Sequence, residues 1–339
     1  STKITNANQL QLMALAPDRD YTLANDVVLT ETLGRNLGLW RDGFVPVGDA
    51  TTGQAFSGSL DGSGYTIDVL SVNVDRNVTN GLFGDVDGGN FSGLEFLNVN
   101  ITSGDGAGAD GSITFDSNAT LIGLSSLVYL DAGLGNVSIE QEIGGSLRPG
   151  GALEIHGAQI SLPAVRTHDE QLYDASQAVV LSGDLESFGS KITIHGSTLL
   201  SSNVSINTTA AGTNPGGANI ELSGNINGQS DAHNLTLASG SSSISIDGAI
   251  GDSQVLGTLS VRESKNVSFS STVNVESFLQ EVTGSGETKL EGPLTASSGA
   301  IVIDTATLDL NAPVLTSGGS ISITADSVAY SDAIESTGG

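Results

Sequence analysis

A five-residue unit recurs down the C-terminal half of the chain and limits what it can fold into more than any other feature. It reads apolar, polar, small, any, apolar. The copies are Leu181-Ser-Gly-Asp-Leu185, Leu200-Ser-Ser-Asn-Val204, Leu222-Ser-Gly-Asn-Ile226, Ile246-Asp-Gly-Ala-Ile250, Phe269-Ser-Ser-Thr-Val273, Leu290-Glu-Gly-Pro-Leu294, Leu310-Asn-Ala-Pro-Val314 and Tyr330-Ser-Asp-Ala-Ile334. The interval between successive starts stays near a score of positions throughout. A steady internal period of this length marks a stacked repeat architecture.

The period then selects the element. Alternate residues of a strand face opposite ways, so positions one, three and five of the unit share one dry face. A helix would also bring positions one and five together. The Gly, Ser, Thr and Val content is poor for helix, however. About two short strands per period fit one coil of a solenoid, which buries its apolar face only by stacking on its neighbours. The sequence therefore predicts an all-β fold: a right-handed parallel β-helix (β-solenoid) with coils of about 20 residues and an N-terminal cap.

Details of the coil follow. Pro293 and Pro313 occupy the same position in adjacent copies and cannot donate to a ladder, which puts them at a corner. Asn203 and Asn225 suit corners through the tolerance of Asn for left-handed backbone. Fainter copies start at Ile143 and Phe56, and the Ile-His-Gly triplets at 155–157 and 194–196 are separated by close to two coils. The rhythm breaks at 161–178, read as a loop projecting from the solenoid, and at 207–217, read as a smaller outgrowth. The expected organisation is residues 1–105 as cap and first coils, with a regular solenoid over 106–339 continuous with them.

Composition narrows the partners. Hydrophobic residues make up 38% of the chain but aromatics only 4%, which suits a thin aliphatic core. The formal charge is −27, from 38 acids against 11 bases. Phosphate recognition needs clustered Lys or Arg, so nucleic acid and anionic lipid are excluded as partners. Cations, above all Ca²⁺, are the charged partners that fit. With no cysteine there is no disulfide or thiolate chemistry. No apolar run reaches the roughly 18 residues that span a membrane. Ser1 in place of an initiator methionine, and an end inside a repeat at Gly339, lead us to expect a removed leader and a longer natural chain.

The N-terminal third has another texture. Asp20-Tyr-Thr-Leu-Ala-Asn-Asp-Val-Val-Leu29 leads to Phe44-Val-Pro-Val-Gly48, then to Phe56-Ser-Gly-Ser-Leu-Asp-Gly-Ser-Gly-Tyr-Thr-Ile67, Asn80-Gly-Leu-Phe-Gly84 and Gly93–Ile101. This succession resembles the GLUG-motif region of large bacterial surface proteins, with Val27 and Val47 where Ile is usual. The part from 180 to 339 resembles the strand repeats of filamentous-haemagglutinin-like adhesins. The resemblance implies a right-handed β-helix at the cell surface or outside the cell, with an adhesive or structural role, and supplies no catalytic residues to carry over. Residues 1–30 would also cap the open coil end, whose bare strand edges invite aggregation. Gln9–Leu15 would form a short helix in that cap. The C-terminal edge carries no such signal, so end-to-end self-association is a candidate.

Three sets of residues carry candidate chemistry. Asp105 and Asp110, in a glycine-rich turn, offer hard oxygen ligands for Ca²⁺; the spacing matches neither an EF-hand nor a nonapeptide repeat, and a solvated loop is the plainer reading. Arg166, His168, Asp169 and Glu170 in the expected projecting loop form the densest polar cluster, a candidate ligand site or an ordinary polar loop. His156 and His195 each follow an inward Ile, so alternation turns them to solvent. Nine Asn-x-Ser/Thr sequons begin at Asn77, Asn90, Asn100, Asn118, Asn136, Asn203, Asn207, Asn234 and Asn266. Corners and outer faces rich in Asn, Ser and Thr produce these without glycosylation.

The expected function is a non-catalytic extracellular module of a large surface protein, adhesive or structural, assembling end to end and contacting a glycan or a cell-surface protein. The alternative is a polysaccharide lyase or glycoside hydrolase, which would need a base or paired carboxylates beside a groove.

Overall fold

The computed structural model describes residues 2–32, 43–48, 54–74, 81–84, 86–103, 113–115, 119–121, 127–144, 150–281, 286–331 and 333–337. Among the described residues, parallel sheets stack as a β-solenoid of about 13 turns with coils near 21 residues. The chain divides into two compact units, Ser1–Ser161 and Leu162–Gly339. The boundary expected near residue 105 falls among residues outside those described.

In the second unit each coil contributes to three parallel stacks. One inward column runs Tyr173, Ile194, Leu222, Ile246, Phe269, Leu290, Leu310, Tyr330 in paired register. The step from Ile194 to Leu222 is the longest in this column. A second column runs Ile226, Ile250, Val273, Leu294, Val314, Ile334. The third runs Val165, Leu185, Ile206, Leu237, Val261, Gln280, Ile303, Ile323. Most members are fully buried, each aliphatic side chain contributing roughly 1.5–3 kcal/mol.

The five-residue unit is a corner and not a strand. Its first residue ends one strand and its fifth opens the next, as at Leu222 and Ile226 or Leu290 and Leu294. Positions two to four form the bend between them. The middle residue is small because successive corners touch through their backbones. A Cβ at Gly224 would sit 2.1 Å from the Gly196 carbonyl oxygen, and one at Gly248 2.2 Å from the Gly224 backbone. Pro293 and Pro313 lie at this corner as expected, their carbonyls accepting from Val273 and Leu294 N–H at 2.8 and 3.0 Å.

The first two copies belong to a different corner. Leu181 pairs with Leu200 and Leu200 with Gly228, whereas Leu222 sits on Ile194. The turn-rich segment after Asn207, exposed over 211–216, lengthens the coil that joins Ile194 to Leu222. The spacing from Leu200 to Leu222 thus runs between unlike corners, and the copy that stacks beneath Leu222 is Ile194-His-Gly-Ser-Thr198.

Corner asparagines also act differently from the expectation. Asn203 and Asn225 are not among the left-handed residues. Their amide oxygens accept the next coil's backbone: Asn203 from Asn234 N–H at 2.9 Å, and Asn225 from Ala249 N–H at 3.0 Å. Asn234, Asn219 and Asn266 repeat the arrangement with Thr258, Ser243 and Glu287 N–H at 2.7, 3.1 and 3.1 Å. A bend interrupts the strand ladder, and the side-chain oxygen satisfies a donor left over.

The expected projecting loop at 161–178 is two strands of the solenoid, Val165–Thr167 and Gln171–Leu181. The aliphatic rhythm fails there because the interior is polar. Buried Gln171 donates to Thr167 Oγ1 at 3.0 Å and to the Glu186 carbonyl at 2.8 Å. Tyr173 OH donates to Gln171 Oε1 at 3.0 Å. What does bulge is short: between Asp174 and Ala178 two extra residues are accommodated opposite His195 to Ser197, with Ser176 and Gln177 exposed.

The first unit has three parallel stacks of its own. Thr2–Ile4, Asp20–Leu23, Ser59–Asp61 and Asn90–Ser92 form one sheet. Val27–Val28, Thr66–Asp68, Leu94–Leu97 and Ala119–Leu121 form another. The third joins Ser71–Val74, Asn100–Ser103 and Val128–Asp131 to the strand beginning at Leu153. Motif positions Tyr21, Leu23, Val27, Leu29, Phe44 and Phe56 are all buried. Phe56, Phe83 and Phe91 pack with ring centroids 4.5–5.5 Å apart. The helix expected at 9–15 is Ala7–Leu12 followed by a 3-10 turn, Met13–Leu15. Asn6 caps it by accepting Gln9 N–H at 3.0 Å, and Leu10 and Met13 are fully buried.

Two substitutions test these points. Gly224→Ala should lower stability by about 1–3 kcal/mol or more through backbone overlap, while Ser223→Ala beside it should stay near wild type; denaturant midpoints decide. Tyr173→Phe should cost about 1–3 kcal/mol at neutral pH by leaving the buried Gln171 oxygen without its donor. Burial raises the Tyr173 phenol well above its ordinary value. The folded state thus holds this proton when the unfolded chain releases it, and stability falls as pH climbs past about 10. Urea titrations between pH 8 and 11 should show a shallower alkaline loss in Tyr173→Phe.

Candidate functional site

Asp105 and Asp110 lie outside the described residues. Among the described residues no group of three His, Asp or Glu is arranged to hold a metal ion.

Arg166, His168, Asp169 and Glu170 sit where one strand of the second unit bends into the next. Alternation buries Val165 and Thr167 and turns Arg166 outward, opposite Glu186 of the following coil. Arg166 Nε lies 3.2 Å from Glu186 Oε2. The His168 ring packs on Phe188, centroids 4.9 Å apart, and Ser190 Oγ donates to its carbonyl at 2.9 Å. Thr167 Oγ1 donates to the Asp169 carbonyl at 2.7 Å, and the Asp169 and Glu170 side chains are exposed. These contacts tie coil to coil. The four residues form a corner rather than a loop around a groove.

A denser constellation stands on an outer face of the first unit. In Val128–Asp131 the residues Val128 and Leu130 point in, leaving Tyr129 and Asp131 outside, with Leu127 just before them 48% exposed. The strand beginning at Leu153 turns Glu154 and His156 out. Register sets Tyr129 against Glu154 and Asp131 against His156. His156 Nε2 lies 2.8 Å from Glu154 Oε1, and the His156 and Tyr129 rings are 5.5 Å apart at 44°. Tyr129 OH donates to Asp131 Oδ2 at 3.4 Å, and Gly133 N–H to Asp131 Oδ1 at 2.9 Å. Partial burial raises the Tyr129 phenol above its ordinary value, with the Asp131 and Glu154 carboxylates adding to it.

His156 is therefore half-buried against a carboxylate and a ring, and not simply solvated. His195 is exposed, as alternation implies. Alternation in the sequence turns His156 outward but does not bring it to Tyr129, Asp131 or Glu154. The stretch from Tyr129 to Glu154 is longer than the usual period, so no spacing rule announced that they stack.

The sequons follow from the same alternation. In Asn136-Val-Ser, Asn203-Val-Ser, Asn234-Leu-Thr and Asn266-Val-Ser the central residue is buried and the Asn stands just before or at the start of a strand. Asn77 and Asn118 lie outside the described residues.

Comparison with known proteins adds one likeness. Over 110 residues the chain is 36% identical to Halomucin of Haloquadratum walsbyi, covering 31% of this chain and 1% of that protein. No family model and no solved structure matches. Among the described residues no helix is long and apolar enough to cross a membrane.

A double-mutant cycle of Arg166→Ala with Glu186→Gln should return a coupling below about 1 kcal/mol that shrinks with added salt, as for an ordinary surface pair. A larger, salt-insensitive coupling would mark the corner as something more than a coil-to-coil tie.

Proposed function

We propose that this chain is a non-catalytic structural module of a large exported surface protein. One observation carries the reading. Coil after coil of the second unit stacks in parallel register on largely aliphatic columns, and corner asparagines join one coil to the next. A ladder of this kind resists bending and needs no bound ligand to hold its form. The likeness to a protein named Halomucin, a mucin by its name, supports a place outside the cell. So does the charge of −27, which keeps an exported chain soluble and apart from its copies. The GLUG-like succession over residues 20–101 supports the same place, and the adhesive role it implies is part of the proposal.

The competing reading is a carbohydrate-active enzyme, with Asp131 and Glu154 as its carboxylates. Incubating the purified chain with neutral, amino and acidic polysaccharides should release no new reducing or unsaturated ends. Release that disappears in Glu154→Gln or Asp131→Asn would overturn the non-catalytic reading. Electron microscopy of the same sample reads whether copies join end to end.

A further inference from the structure

We propose that the outer face bearing Leu127, Tyr129, Asp131, Glu154 and His156 binds a saccharide that carries a free amino group. The proposal rests on the surface-module reading and gives that module a ligand class.

The face combines two kinds of surface. Tyr129 points outward from its strand and its ring meets the His156 ring at 44° with centroids 5.5 Å apart, and Leu127 immediately precedes that strand. Together they make a small apolar shelf, nearly half of Leu127 being open to solvent. The Asp131 and Glu154 carboxylates stand beside the shelf on neighbouring strands in register. Their partners hold them in place: Gly133 N–H and Tyr129 OH on Asp131, His156 on Glu154. Each carboxylate oxygen accepts more than one hydrogen bond, so both retain accepting capacity beyond these contacts. Strands carry Tyr129, Asp131, Glu154 and His156, which limits the ordering cost of binding.

The chemistry selects the ligand. A pyranose ring presents C–H groups on its faces and hydroxyl donors around its rim, matching a shelf flanked by acceptors. Two carboxylates, within a chain of net charge −27, repel uronic and sulfated sugars. A protonated amine reverses that effect. It gains charge-assisted hydrogen bonds to Asp131 or Glu154 and attraction to the Tyr129 face.

Calorimetric titration of the intact chain in 0.15 M salt tests this with three probes: a glucosamine oligomer, a galacturonate oligomer and an oligolysine of equal charge. The glucosamine oligomer should bind, the galacturonate should not, and oligolysine should bind at least tenfold more weakly. Tyr129→Ala and Glu154→Gln should each reduce glucosamine binding at least tenfold, and Tyr129→Phe should retain it. Denaturant midpoints near wild type confirm that the variants fold. Equal binding of oligolysine, or affinity unchanged in Tyr129→Ala, would reduce the effect to general attraction by an acidic chain and overturn the proposal. Absence of glucosamine binding would overturn it too, while leaving the non-catalytic reading intact, since that reading stands or falls on the release of chain ends.

Discussion

Backbone contact between successive bends is the constraint on which the second unit depends. Strands stack at the ladder spacing of about 4.8 Å, and bends must approach at the same interval. A bend held that close leaves room for a small central side chain at most, and at the tightest contacts for none. Gly224 against Gly196, and Gly248 against Gly224, meet the condition by having none. The apolar residues on either side then fall into register without further instruction. The small central residue matters as much as the aliphatic columns, because a bulkier one would hold the coils apart and open every column at once.

The bend also creates a hydrogen-bonding problem, which the sequence solves locally. Residues that turn leave the ladder with unmatched donors. Asn203, Asn219, Asn225, Asn234 and Asn266 each supply an amide oxygen to a backbone N–H of the next coil. Inside, Ser and Thr hydroxyls serve the carbonyls of their own bends: Thr208 donates to the Ala218 carbonyl at 2.7 Å, Ser239 to that of Ser242 at 3.0 Å, and Ser264 to that of Asn266 at 2.9 Å. These groups do at the bends what the strand ladder does along the faces. They also explain how so polar and aromatic-poor a chain stays stacked.

Period and residue type reveal the stack, yet they hide phase. From Leu222 onward the unit spacing equals the coil length, and the columns could be written down from the sequence. Before Leu222 the same pattern misleads, because both ends of every strand carry an apolar–bend–apolar signature. Leu181 and Leu200 fit the unit while belonging to another corner. The inserted turns after Asn207 removed the one clue, equal spacing, that would have told the corners apart. The 161–178 stretch misled for a different reason. A polar interior built on Gln171, Thr167 and Tyr173 looks like a loop to any rule that equates inside with apolar. Only the partners of each polar atom distinguish the two.

The outer-face constellation was illegible for a related cause. Alternation says which residues face out, and register says which of them meet. Tyr129 and Glu154 meet because the chain between them forms one coil longer than the usual period, a length no local pattern records. This leaves function on a solenoid in a particular position. The interior is fixed by stacking and tolerates little change, whereas an outward residue can change without disturbing a column. Chemistry on such a fold therefore arises where two coils set complementary outward pairs side by side. Tyr129 with Asp131 and Glu154 with His156 are such pairs, held on strands whose inward neighbours Leu130 and Ile155 are fully buried.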